Sequence, residues 1–473
     1  MRALPPLILA AAAAGCSDSA PAPVPTREAV TAILPVPPAD APREPAADAE
    51  PPHPVAPRLP AEPPLPPAAA LDAAGLTVLG GGDFTLVTDA PDAAAGLPPL
   101  LAQARPAWDA YFGPFAPGTG EAVPMTAFLM AEPDRFRAAG LLPDDLPPFL
   151  TGRQRGRRFW MYEPSEAYFR RSLALHEATH VRMTASMPRG AKGPLWYLEG
   201  VAELFGAHRL GDDGTLEVRV IPGEEAAAGG WDRVERVRAD AAAGFVPTIE
   251  EVRRFTDADF LEGRGYAWAW ALCALLDGHP AYRDRFRVLH DPGVRGRLDE
   301  AFDDAFAADR RRLEAEWRLF AAELTGGSDL AANAVIFGDG TPLTGPRAVT
   351  IDAAGGWRSA GVALAAGEAV DLSANGRFTL ADEPKPWVST ADGISFDYHR
   401  GHRLGQLQAA VLADGSGPAV GLADPAATGA SGRFVAPRAG VLYLRLNDRP
   451  DRRRDNRGHV TVTVAPAAEP PSS

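Results

Sequence analysis

The sequence predicts a multidomain chain in which an α+β body is followed by an all-β sandwich. Three observations carry this reading. Between Leu76 and Leu324 short apolar runs alternate with stretches of helical spacing. After Thr325-Gly326-Gly327-Ser328 the pattern changes to short alternating runs bounded by Gly, Asp, Asn and Pro. Before Leu71 the chain is too rich in proline to bury a core. The 473 residues, 46% hydrophobic and 23% charged, give room for more than one domain. A net charge of −14 leaves no basic footprint for nucleic acid, so that class of partner is excluded. Two cysteines, Cys16 and Cys273, are too few for a disulfide framework.

The N-terminus reads as an address. Met1-Arg2, the apolar Leu7-Ile8-Leu9 and the alanines up to Ala14 have the layout of a secretory signal. Ala13-Ala14-Gly15-Cys16 resembles a bacterial lipobox, which implies cleavage before Cys16 and a diacylglycerol on its sulfur. Ser17 rather than Asp follows, which in lipoprotein sorting favours the outer membrane. Residues 1–16 are therefore expected to be the signal. Residues 17–70 hold 17 of the 48 prolines and are expected to form an extended tether.

In the body, Asp83–Thr88, Met125–Met130 and Arg158–Tyr162 read as strands, with a helix over Leu97–Phe112. Glu166–Met187 carries Phe169, Leu173 and Val181 near helical spacing; Pro188 closes it and Pro194 opens the next helix. The arginine-rich run before Phe159 is expected to be a solvated loop. Thr248 reads as a helix cap, and Leu298–Leu324 as one long helix.

The chemistry lies in His176-Glu177-Ala178-Thr179-His180. Histidines at i and i+4 share one helix face, so both imidazoles can meet one metal ion, and the glutamate between them can take a proton from water held there. A catalytic zinc needs a third protein ligand and an open position. Downstream stands Trp196-Tyr197-Leu198-Glu199-Gly200-Val201-Ala202-Glu203. The two motifs together resemble the gluzincin metallopeptidases, in particular the thermolysin/aminopeptidase-type and peptidase-MA-like proteins. That resemblance implies a zincin catalytic domain over 71–327 with His176, His180 and Glu199 as zinc ligands, Glu177 as general base, and Glu203 orienting a ligand imidazole. Gly265-Tyr266-Ala267-Trp268-Ala269-Trp270-Ala271-Leu272 resembles the helix that follows the site in peptidase-MA-like proteins. It implies Tyr266 as oxyanion donor; the alternative is a tyrosine packed with Trp268 and Trp270. The resemblance also implies that Arg158–Tyr162 is the edge strand that pairs with substrate, the alternative being that its aromatics fill core. Cys273 reads as inert packing. His208, close to the end of the Glu199 helix, suits a charged imidazole by the helix dipole and is not expected to be a ligand.

In the last third, Ala348–Asp352, Gly361–Leu364, Val370–Ala374, Gln408–Leu412, Gly432–Ala436, Val441–Leu446 and His459–Val464 read as strands of a sandwich over 328–473. Gly356-Trp357, Trp387, Gly405-Gln406-Leu407 and Leu442-Tyr443-Leu444-Arg445-Leu446-Asn447-Asp448 resemble the bacterial galactophilic lectin family, a galactose-binding-like jelly roll. This implies a calcium ion at Asp448, Asp455 and Asn456, and a glycan partner. Arg452 stands where the family has a threonine ligand, and the family's sugar-contacting loop is shorter here, with only His399 and His402 nearby. The alternative is that the three residues cap a polar turn.

The expected function is a zinc metallopeptidase acting on a peptide or protein, an endopeptidase because no G-x-M-E-N signature precedes the motif. It is expected at the bacterial cell envelope, anchored by lipid or secreted. The competing expectation is a calcium-dependent carbohydrate-binding lipoprotein on a silent peptidase scaffold.

Overall fold

The computed structural model describes residues 62–113, 124–186, 193–291, 294–413, 422 and 424–467. The signal, Cys16, Pro188 and most of the tether lie outside the described residues. Everything described belongs to one compact unit, Val55–Ser473, of mixed α/β architecture with several sheets. Among the described residues no helix is long and apolar enough to cross a membrane.

The first sheet has five strands: β1 (Thr77–Gly81), β2 (Phe84–Thr88), β3 (Met125–Met130), β4 (Gly152–Arg155) and β5 (Arg158–Tyr162). Their order is β1-β2-β3-β5-β4, with β2, β3 and β5 parallel and both outer strands antiparallel to their neighbours. Strand β5 is therefore internal, which explains its unbroken apolar run: both faces are covered. Phe159 and Met161 join the main helical core, whereas Trp160 stacks on Phe128 in a second cluster at 5.3 Å. The expectation that β5 forms the sheet edge is corrected here. The edge is β4, built from residues expected to be a solvated loop. Gly156, at φ 64°, starts the two-residue turn that returns the chain from β4 into β5.

Two further boundaries differ from expectation. Glu62, inside the expected tether, accepts a hydrogen bond from the Arg157 amide at 2.8 Å, so the chain is already fastened to the β4–β5 turn there. The long C-terminal helix is two helices, Leu298–Phe306 and Arg310–Glu323. Arg285 donates to the Ala305 carbonyl and to Asp309 at the break, satisfying groups that a continuous helix would have paired. The Thr248 cap is present as a full capping box with Glu251.

Eight of the nine tryptophans are fully buried, most of them in the helical core. At the centre of that core three helices meet: the motif helix (Ala167–Ser186), the glutamate helix (Leu195–Gly206, after Pro194) and the tryptophan helix (Arg264–Gly278). Glycine lets them approach. A Cβ on Gly200 would stand 2.6 Å from both the Ala269 carbonyl and Cys273 Sγ, and one on Gly206 would stand 3.0 Å from Ser172 Oγ. Cys273 is buried packing, as expected.

The C-terminal part is all β. One sheet runs 426–427, 407–412, 440–446, 358–364, 341–342, and the other is built on Arg457–Pro466, flanked by Ala369–Asn375 and Arg347–Asp352. Val362, Leu372, Leu444 and Val462 share one core between the two sheets. The helix Arg310–Glu323 joins the two parts. Its Leu319 packs with Trp357 and Tyr443, and its Glu323 pairs with Arg445 at 2.8 Å and Arg400 at 3.2 Å.

Candidate metal centre

The motif helix is pinned to the Leu97–Phe112 helix by polar contacts on its buried side. Trp108 Nε1 donates to Thr179 Oγ1 at 2.9 Å, and Arg182 reaches Asp109 at 2.7 Å. The i,i+4 spacing then turns His176 and His180 toward the glutamate helix, with ring centroids 4.7 Å apart.

There His176 Nε2 and His180 Nε2 are 3.1 Å apart, and Glu199 Oε2 lies 3.3 Å from the first and 3.4 Å from the second. A tetrahedral ion with bonds of 2.0–2.1 Å separates its ligand atoms by about 3.3 Å. Two imidazole nitrogens and one carboxylate oxygen thus form a triad able to hold a metal ion. Among the described residues it is the one group of three or more His, Cys, Asp or Glu side chains so placed.

Glu203, one turn on, faces the other side of His176: its Oε1 is 3.4 Å from His176 Nδ1. Its carboxylate also accepts from Trp231 Nε1 at 2.9 Å and from Arg233 at 3.0 and 3.2 Å. Trp231 and Arg233 were missed in the sequence. No local pattern marks them, because their partner is 28 or 30 residues away.

The charges of this cluster are strongly coupled. Burial works against a charged His176, but the hydrogen bonds of Glu199 and Glu203 outweigh it and raise its pKa to about 10. Burial likewise opposes ionised Glu199, yet His180 and His176 hold it well below the usual carboxylate range. Glu203 falls to about 2 because Arg233 and His176 overcome the same desolvation. Both carboxylates are thus held ionised beside positive charge.

Glu177 is buried beside the triad, and burial raises its carboxyl pKa. Its carboxylate lies against Gly152 at the start of β4; a Cβ there would stand 2.3 Å from Glu177 Oε1. Gly152 was also missed, although the two glycines of Gly152-Arg153-Gln154-Arg155-Gly156 were a signal for a hairpin. Tyr266 is on the site side of the tryptophan helix, its ring 6.3 Å from that of His176. It packs on Phe260 and Arg233, whereas Trp268 bonds Asp240 and Trp270 packs on Trp231. Burial, with Glu199, Glu203 and Glu177 around it, pushes its phenol up, so it remains a donor at neutral pH.

His208 contradicts the helix-dipole expectation. It is buried just past the glutamate helix, where desolvation lowers its pKa to about 4. The neutral ring donates from Nδ1 to the Gly206 carbonyl at 2.8 Å and accepts from Arg171 at 3.1 Å.

In the β part, Asp448 and Asn456 come together: Asn456 Nδ2 donates to Asp448 Oδ2 at 2.7 Å and to the Ala353 carbonyl at 2.9 Å. Asp455 is exposed on the adjoining turn. Between them the buried guanidinium of Arg453 donates to the carbonyls of Leu446, Asp448 and Gly355 and to Asn333 Oδ1. His399 and His402 lend only backbone carbonyls, to Asn447.

No family model and no curated protein matches the chain. Among solved structures it is similar to a domain described as "EclA N-terminal domain; PllA-like lectin", at 24% identity over 26% of this chain and 96% of that chain, with a TM-score of 0.20. It is also similar to the IMPa metallopeptidase from Pseudomonas aeruginosa, at 15% identity over 82% of this chain and 47% of that chain, with a TM-score of 0.14. Both scores are too low to carry an argument, and neither likeness is preferred to the other.

Proposed function

We propose that this chain is a zinc-dependent metallopeptidase of gluzincin type, built on residues 71–327 and held at the bacterial cell envelope through Cys16. The observation that carries the reading is the triangle of His176, His180 and Glu199 at 3.1–3.4 Å, with Glu177 buried at its side. These residues fit zinc in donor type and spacing. A bound zinc would supply Lewis acidity toward a peptide carbonyl and acidify water beside it.

The chain's own groups do the rest. Glu177, its carboxyl raised by burial, accepts the proton of the attacking water and returns it to the leaving amine. Tyr266 donates to the developing oxyanion. Glu203, fixed by Trp231 and Arg233, holds the His176 ring. The free edge of β4 takes up an extended peptide by main-chain hydrogen bonds, a mode suited to internal cleavage.

Elemental mass spectrometry of the purified protein tests the metal. About one zinc per chain is expected, with little in Glu199→Ala. Glu177→Gln should keep the zinc and lose hydrolysis of an unfolded protein substrate. Activity retained in that variant would sink the mechanism.

A second reading is a calcium-dependent glycan-binding function of residues 328–473. One observation favours it: Asn456 Oδ1 is buried beside Asp448 without a hydrogen-bond partner among the described residues. Against it stands Arg453, a buried cation that already satisfies the neighbouring carbonyls. Calorimetric titration with calcium decides: no heat in the parent, or the same heat in Asp448→Ala, removes this reading.

A further inference from the structure

Strand β4 carries an arginine, Arg153, next to the glycine against which Glu177 leans, and among the described residues no ion pair answers its charge. The register pairs Gly152 with Met161 and Arg153 with Trp160. Met161 belongs to the core shared with the motif helix and Trp160 to the cluster on the other face of the sheet. Gly152 therefore looks toward Glu177, and Arg153 lies one residue on, on the opposite face, at the same edge, which no other strand among the described residues pairs with.

Two of the arginines near it are engaged. Arg155 is bonded to Asp145 at 3.1 Å and lies over the Trp160 ring, and Arg158 is paired with Glu62 at 3.4 Å. Arg153 is exposed, and among the described residues no hydrogen bond or ion pair joins it to another side chain.

We propose that Arg153 selects an acidic side chain in the peptide that lies along β4. This rests on the peptidase reading and names its substrate class. A strand added to the free edge puts one residue directly opposite Arg153 on the same face, with Cβ atoms about 5 Å apart. That side chain points away from the metal side while its neighbours' backbone passes Gly152 and Glu177. An acidic residue there forms the cross-strand ion pair that the protein itself does not supply; a basic one meets like charge.

The test uses the full chain as the zinc-loaded Glu177→Gln variant, and fluorescent peptides that differ at a single position carrying Glu, Gln or Lys. At one position of the series, Glu should bind about threefold more tightly than Gln and about tenfold more tightly than Lys. The contrast should shrink at high salt and reverse in sign when Arg153→Glu is added. Equal affinities at every position, or a contrast unmoved by Arg153→Glu, overturns the assignment. Wild-type hydrolysis of the same peptides separates the two ideas. Cleavage without a charge contrast removes the role of Arg153 alone, and a contrast without cleavage removes the peptidase reading alone.

Discussion

Arg233 and His176 grip one carboxylate from two sides: Glu203 Oε1 is 3.0 Å from Arg233 Nη2 and 3.4 Å from His176 Nδ1. The guanidinium also lies 5.6 Å from the Tyr266 ring, so one half-buried cation braces both the imidazole of the candidate metal triad and the candidate oxyanion donor. Glu203 sits on the same helix as Glu199, and the pair fixes that helix against the motif helix.

This brace is expected to set metal affinity. Partners that orient a ligand imidazole are worth about 10–100-fold in metal binding. Glu203→Ala should weaken zinc binding by about that factor in competition with a chelator, and Arg233→Ala by less, because Trp231 still holds Glu203. Equal affinity in all three proteins would show that the brace is only packing.

Gly152→Ala addresses the candidate base, Glu177, without touching a candidate metal ligand. The new Cβ would press on Glu177 Oε1 from 2.3 Å, so the carboxylate must move. A displacement of about 1 Å in a reacting group can cost on the order of 100-fold in rate. The expected result is a large fall in kcat with zinc content unchanged; full activity would mean that the Glu177 position is not demanding.

His208 gives the fold a pH dependence. Its native pKa of about 4 lies below its ordinary 6.5. Between those values the unfolded chain binds a proton that the native state refuses. Stability from this group is therefore complete above pH 6.5 and is lost as pH falls toward 4, by about 3 kcal/mol in all. Urea denaturation between pH 5 and 6.5, where ordinary carboxylates change little, should show this slope in the parent and a shallower one in His208→Gln. Identical slopes would remove His208 as the cause.

Glu323 ties the helical and β parts. It is paired with Arg445 at 2.8 Å, and that guanidinium lies 4.4 Å from the Trp357 ring. Both partners are nearly buried, and removing one leaves a buried charge unanswered, at a cost of about 3–5 kcal/mol. Glu323→Ala should lower the denaturation midpoint clearly and expose the junction to proteolysis. Glu323→Gln, which can still accept a hydrogen bond from Arg445, should recover part of the loss.

The sequence by itself determined what depends on neighbours a few residues apart. The i,i+4 spacing of His176 and His180 set their common face, period-two runs marked the β part, and Thr248 with Glu251 announced a helix start. The unbroken apolar run of β5 was visible too, but not its place in the sheet: burial on both faces looks the same in a strand one position from the edge. Tertiary structure alone decided which glycine Glu177 leans on, which arginine anchors Glu203, that Arg445 closes on Glu323, and that His208 is too desolvated to carry charge. Each of these depends on groups brought together from distant parts of the chain, and desolvation in particular is a property of the finished core that no local pattern encodes.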